Sequence, residues 1–116
     1  MQFSITHMTD VVLVELEGDI WGGLEAMELR DAVSEMVEVG DVRYVIDLAR
    51  TAMVNSAGIG ALLATQSAIT AARGVMKLCN VGPRTAKVLA ISEVTAMFDI
   101  VPTREDAFRD LGVKSD

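Results

Sequence analysis

A chain of 116 residues has the length of one domain, with room for a single hydrophobic core. Hydrophobic residues make up 51% and aromatic ones only 4%, so the chain is expected to fold around aliphatic side chains and methionine. A formal net charge of -7, without any Lys/Arg cluster, argues against nucleic acid and anionic membrane surfaces as partners, since both require a basic footprint.

From the start of the chain, "MQFSITH" alternates apolar and polar residues, with Phe3 and Ile5 on one face, and predicts a strand. "VVLVELEG" follows the turn residues Thr9-Asp10, and the two segments read as a hairpin or as adjacent strands. Gly22-Gly23 then break the chain. "LEAMELRDAVSEMVEVG" predicts a helix with Leu29, Val33, Met36 and Val37 on one face and Gly40 as its stop. "VRYVIDL" is a short buried strand. "MVNSAGIGALL" opens the next helix. Ile59, Leu62, Leu63 and Ile69 carry it to about Ala72, and Gly74 is its expected stop. "VMKLCN" is another strand, and Pro83 starts a third helix in "GPRTAKVLAI".

"AMFDIV" fits a short helix or a short edge strand. "TREDAFRDLG" predicts a last helix, with Thr103 as N-cap, Asp106 at the capping-box position and Gly112 as stop. The final "KSD" reads as a frayed end. Strands alternating with helices predict one α/β domain over residues 1–116. Its sheet is mixed but mostly parallel, with about four or five strands, and it carries about four helices.

Cys79 is the only cysteine, so no internal disulfide forms, and no metal-ligand spacing surrounds it. "MQFSITHMTD" lacks the basic and apolar regions of a signal peptide. No apolar run reaches the roughly 20 residues of a membrane helix. A reducing cytoplasm is the expected compartment, with no cofactor and no metal.

Functional sites of α/β sheets gather beyond the carboxyl ends of parallel strands. Residues 49–56 and the "DIWGG" loop both fall there and should share one edge. Ser56 has two readings in that place. It can cap the helix, a task that Asn55 could perform equally well. It can also carry a phosphate, because a helix N-terminus favours negative charge. Such a phosphate would add about -1.5 to -2 charge to a small, apolar surface formed by Ala57, Gly58, Gly60 and Ala61. Glycine costs roughly 1 kcal/mol in a helix relative to alanine. Gly58 and Gly60 therefore imply close approach, either of another backbone or of the sheet beneath.

Catalysis fits poorly. A nucleophile elbow needs glycine where Val54 stands. His7 reads as a surface residue, Asp47 as a solvated or capping carboxylate and Cys79 as a small buried hydrophobe. "SAGIG" lacks the lysine of a phosphate-binding loop, so a nucleotide-binding module is the weakest reading.

"VIDLARTAMVNSAGIGALL" resembles the signature of the STAS domain, roughly D-L-S-x-V-x-x-M-D-S-[ST]-G-L-G after an apolar strand. Four further segments resemble the same family in order: "VELEGDI", "LRDAV", "LCNVGPRTAKVLAIS" and "DIVPTREDAF". The resemblance covers nearly the whole chain. It implies a non-enzymatic anti-sigma factor antagonist, which binds an anti-sigma factor that is itself an ATP-binding serine kinase. In such proteins phosphorylation of the serine after the usual Asp breaks the complex, and a serine phosphatase restores it. That serine matches Ser56.

The contact surface implied here comprises Trp21, Gly22, Met53, Asn55, Ala57, Gly58, Gly60 and Ala61. Two positions depart from the pattern. Asn55 replaces the usual Asp, and Trp21 stands where an Asp is common. Trp21 reads as an exposed contact anchor or as a ring folded onto the sheet edge. The alternative role is a constitutive STAS scaffold or accessory subunit, of the stressosome type or beside a lipid-transport ATPase, with Ser56 only a cap and contact residue.

Overall fold

Two faces of one strand organise the fold. In β2 (Val11–Glu17), Val12, Val14 and Leu16 join the main core, while Val11 and Leu13 join a second, smaller cluster on the opposite face. Successive side chains of a strand point to opposite faces, so a strand covered on both sides reads as an unbroken apolar run. The structure, a computed structural model, describes residues 1–113; the expected frayed end lies outside them.

The sheet has five strands in chain order: β1 (Gln2–Met8), β2, β3 (Arg43–Arg50), β4 (Val75–Cys79) and β5 (Asp99–Val101). β1 pairs antiparallel with β2, and every later pairing is parallel. Val14, Ile46 and Leu78 lie side by side across the three central strands. The main core lies against α1 (Leu24–Glu38), α2 (Ser56–Ala71) and α3 (Pro83–Ile91), through Leu29, Val33, Ile59, Leu62, Ile69 and Leu89. The opposite face is covered by α4 (Arg104–Asp110), whose Ala107 and Phe108 pack with Val45, Cys79 and Val101. The expected mixed, mostly parallel α/β sheet is therefore present. "AMFDIV" divides between its two readings: a single 3-10 turn at Thr95–Met97, then the edge strand β5.

The end of α2 departs from expectation. Gly40 and Gly112 do take the left-handed conformation after α1 and α4, with φ of 101° and 72°. After α2, however, Arg73 takes it, with φ of 63°. The Arg73 N–H donates to the Thr70 carbonyl at 2.9 Å and the Gly74 N–H to that of Ile69 at 2.9 Å, which makes a Schellman stop one residue early. Gly74 serves another purpose: a Cβ there would overlap the carbonyl of Val42 in the neighbouring loop.

One charged network ties α4 to the sheet. Asp47 on β3 is only 4% exposed and is neither solvated nor a helix cap. Its Oδ2 accepts from Arg104 Nε at 3.0 Å and Nη2 at 2.7 Å. Its Oδ1 accepts from the Ala49 N–H at 2.9 Å and from Asn80 Nδ2 at 3.0 Å. Arg104 also reaches Glu15 at 3.0 Å. Burial pushes the Asp47 carboxyl up, but these hydrogen bonds and the guanidinium outweigh it and hold the group below its ordinary value.

Candidate functional site

The loops after β2 and β3 are laced together at one end of the sheet. Ile20 bridges Val54 in parallel register. The Ile20 N–H donates to the Met53 carbonyl at 2.9 Å, and the Asn55 N–H donates to the Ile20 carbonyl at 3.2 Å. Asp19 Oδ1 accepts from the Met53 N–H at 3.2 Å. These four bonded positions fix Trp21 and Gly22 beside the start of α2. A Cβ on Gly22, whose φ is +81°, would come within 2.8 Å of the Ala57 Cβ.

The cap of α2 falls to Asn55. Its backbone is extended, with φ of -99° and ψ of -179°, and its Oδ1 accepts from the Gly58 N–H at 2.8 Å. That is the geometry of an N-cap. Ser56 is the first helical residue and is exposed, and its hydroxyl is not used in the cap. The role of Ser56 as the cap is thereby corrected. Asn55→Ala is expected to cost about 1 kcal/mol of stability in chemical denaturation, while Asn55→Asp should keep the cap. An unchanged midpoint for the alanine variant would contradict this assignment.

The two helical glycines separate. Gly58 is buried, and a Cβ there would overlap the Ile20 carbonyl, so close packing of the β2 loop accounts for it. Nothing lies within 4 Å of a Cβ placed on Gly60, which faces outward. Gly22, Ala57, Gly60 and Ala61 line an open groove of about 240 Å³ between α1 and α2, with Arg30 on its α1 side. Ala57 and Gly60 are exposed, while Met53, Asn55 and Ala61 are half-buried.

Trp21 is 51% exposed, so its ring does not fold away onto the sheet edge. Leu24 and Met27, 67% and 50% exposed, extend the apolar surface along the first turn of α1. Neither was singled out from the sequence, though a signal exists. They sit three residues apart, off the Ala26, Leu29, Val33 stripe that α1 buries.

The groups that catalysis would need lie elsewhere. His7 pairs with Asp41 at 3.1 Å, on the exposed surface near the start of β3 rather than beyond its carboxyl end. The Cys79 thiol is pushed up to about 12 by burial and by nearby Asp47, which keeps it protonated. Among the described residues, no group of three or more His, Cys, Asp or Glu could hold a metal ion. No described helix is long and apolar enough to cross a membrane.

The family model of the STAS domain matches residues 2–107. The chain belongs to the STAS domain family. BtrV of Bordetella bronchiseptica, provisionally named an anti-sigma factor antagonist, is 25% identical over 107 residues, spanning 92% of this chain and 91% of that one. Among solved STAS-like structures, an anti-sigma factor antagonist from Mycobacterium paratuberculosis matches with a TM-score of 0.80 at 23% identity, over 96% of this chain and 93% of that one. The Bacillus cell fate determinant SpoIIAA in its phosphorylated form matches with a TM-score of 0.73 at 20% identity, over 95% and 99%. The anti-sigma factor antagonist SpoIIAA in its unphosphorylated form gives 0.72 at 19%, over 94% and 96%. These solved structures share the fold of this STAS domain.

Proposed function

We propose that this STAS domain is an anti-sigma factor antagonist, controlled by phosphorylation of Ser56. It binds an anti-sigma factor that is also an ATP-binding serine kinase, and it does so in the unphosphorylated state. The kinase transfers the γ-phosphoryl group of ATP to Ser56 Oγ, the hydroxyl proton leaves, and ADP is released. The phosphoprotein dissociates, and a serine phosphatase hydrolyses the ester to restore binding. The domain does no catalysis of its own and acts in the cytoplasm.

The observation that carries this reading is the exposed Ser56 at the first position of α2, with the cap supplied by its neighbour. A hydroxyl free of that structural duty stands at a helix N-terminus, where a dianion is favoured. Around it lie the small residues Ala57, Gly60 and Ala61, which let a partner approach closely, and exposed Trp21. Gly22, Met53 and Asn55 frame the same surface, and Gly58 lets the β2 loop lie close beneath it. SpoIIAA, which shares the fold, is known in both phosphorylated and unphosphorylated forms, which agrees with a switch of this kind.

Trp21 is the only tryptophan, so its fluorescence reports on this surface. Its emission is expected to change when the purified kinase binds and again when ATP is added. Trp21→Ala should weaken binding by about 1–2 kcal/mol, as loss of an aromatic anchor does. Emission indifferent to both kinase and phosphate would remove Trp21 from the contact surface.

A further inference from the structure

β1 is the last strand on its side of the sheet and is bonded to β2 alone. Natural edge strands are blunted by lysine, proline, inward charges or bulges. "QFSITHM" contains no Lys, Arg, Asp, Glu or Pro, and it pairs with β2 over all seven residues without a bulge. Ser4, Thr6, His7 and Met8 are exposed, while Phe3 and Ile5 are half-buried against the main core. We propose that this edge pairs antiparallel with β1 of a second copy, joining two five-stranded sheets into one.

The order of residues along the strand favours a second copy as the occupant. A two-fold axis through Ile5 sets Ile5 opposite Ile5, Ser4 opposite Thr6, and Phe3 opposite His7. All seven residues are then used. Phe3, Ile5 and His7 share a face, so both helical layers lie on one side of the joined sheet. A one-residue slip would turn one copy over. Paired hydroxyls and paired aromatic or β-branched side chains are the contacts that stabilise neighbouring strands, and no like charges meet. The surrounding charge agrees. Glu25 and Glu28 border the groove beside Met1, Gln2 and Phe3, and this register brings the second copy's His7 to that carboxylate-lined end.

Sedimentation of the full chain over a concentration series tests the pairing. A monomer–dimer equilibrium is expected for the wild type. The double change Ser4→Lys with Thr6→Lys places lysine opposite lysine twice and is expected to abolish the dimer. Ser4→Glu with Thr6→Glu should do the same. Both positions are exposed, and circular dichroism should show the fold of each variant intact. Mixing the two variants should restore a one-to-one dimer, a rescue that a folding defect would not show. A wild-type chain that stays monomeric at every concentration reached overturns the proposal, even if its edge takes up a strand of another protein instead. So does a dimer that survives the paired lysines.

Discussion

Ser56→Asp is expected to lose binding to the kinase while making the domain slightly more stable. The two effects have opposite signs, and the structure explains both. The first turn of α2 contains no acidic residue. A carboxylate at its first position meets the positive end of the helix dipole, worth about 0.3–1 kcal/mol in a surface setting. The same charge would be buried unpaired when a partner covers Ala57, Gly60 and Ala61. Leaving a charge desolvated at an interface costs about 2–5 kcal/mol, so affinity should fall by roughly 30-fold or more. Ser56→Ala removes a hydroxyl that caps nothing, so it should bind as the wild type does and resist release by ATP. Isothermal titration with purified kinase, alongside urea denaturation of each variant, measures both effects. Undiminished binding by the aspartate variant would rule out charge as the switch.

The second large effect is expected from the network beneath α4. Arg104→Met keeps most of the side-chain stem but leaves the Asp47 carboxylate buried without its cation. Removing one partner of a dry ion pair costs about 3–5 kcal/mol. Arg104 is 33% exposed, so water screens part of the loss and about 2–3 kcal/mol is expected. Acid should act in the same direction. The Asp47 carboxyl is held below its ordinary value in the folded state. Its contribution is therefore present above the unfolded carboxylate pKa, about 4, and is lost as pH falls through the folded value. Asp47→Asn should flatten this part of the acid dependence in denaturation curves taken across that range. An Arg104→Met variant with an unchanged denaturation midpoint would show that the network carries no net stability.

Sequence patterns made the sheet legible because period and punctuation agreed. Val12, Val14 and Leu16 alternate with Val11 and Leu13, Pro83 opens α3, and Thr103 with Asp106 closes the cap of α4 at 3.1 Å. What stayed hidden depended on distant contacts or on backbone angles. Asp47 and Arg104 are 57 positions apart, so no local pattern reveals their pairing. Gly74 looked like a helix stop, yet its missing side chain makes room for Val42, while Arg73 bears the left-handed turn. Asn55 and Ser56 are both competent caps. Only the extended backbone at Asn55 decides between them, and that angle follows from the β2 and β3 loops being bonded together. Leu24 and Met27 were passed over because the apolar stripe of α1 was read for its buried face alone.

Transfer of phosphate to Ser56 is the central claim, and peptide mass spectrometry tests it most directly. The STAS domain is incubated with ATP and the ATP-binding kinase that co-purifies with it, then digested with trypsin. Cleavage after Arg50 and Arg73 releases one peptide that holds Ser56 together with Thr51, Thr65, Ser67 and Thr70. A single added phosphate is expected, placed on Ser56 by fragmentation of that peptide and absent from Ser56→Ala. A phosphate on Ser67 or Ser92, or an unmodified Ser56 after full exposure to the kinase, would contradict it.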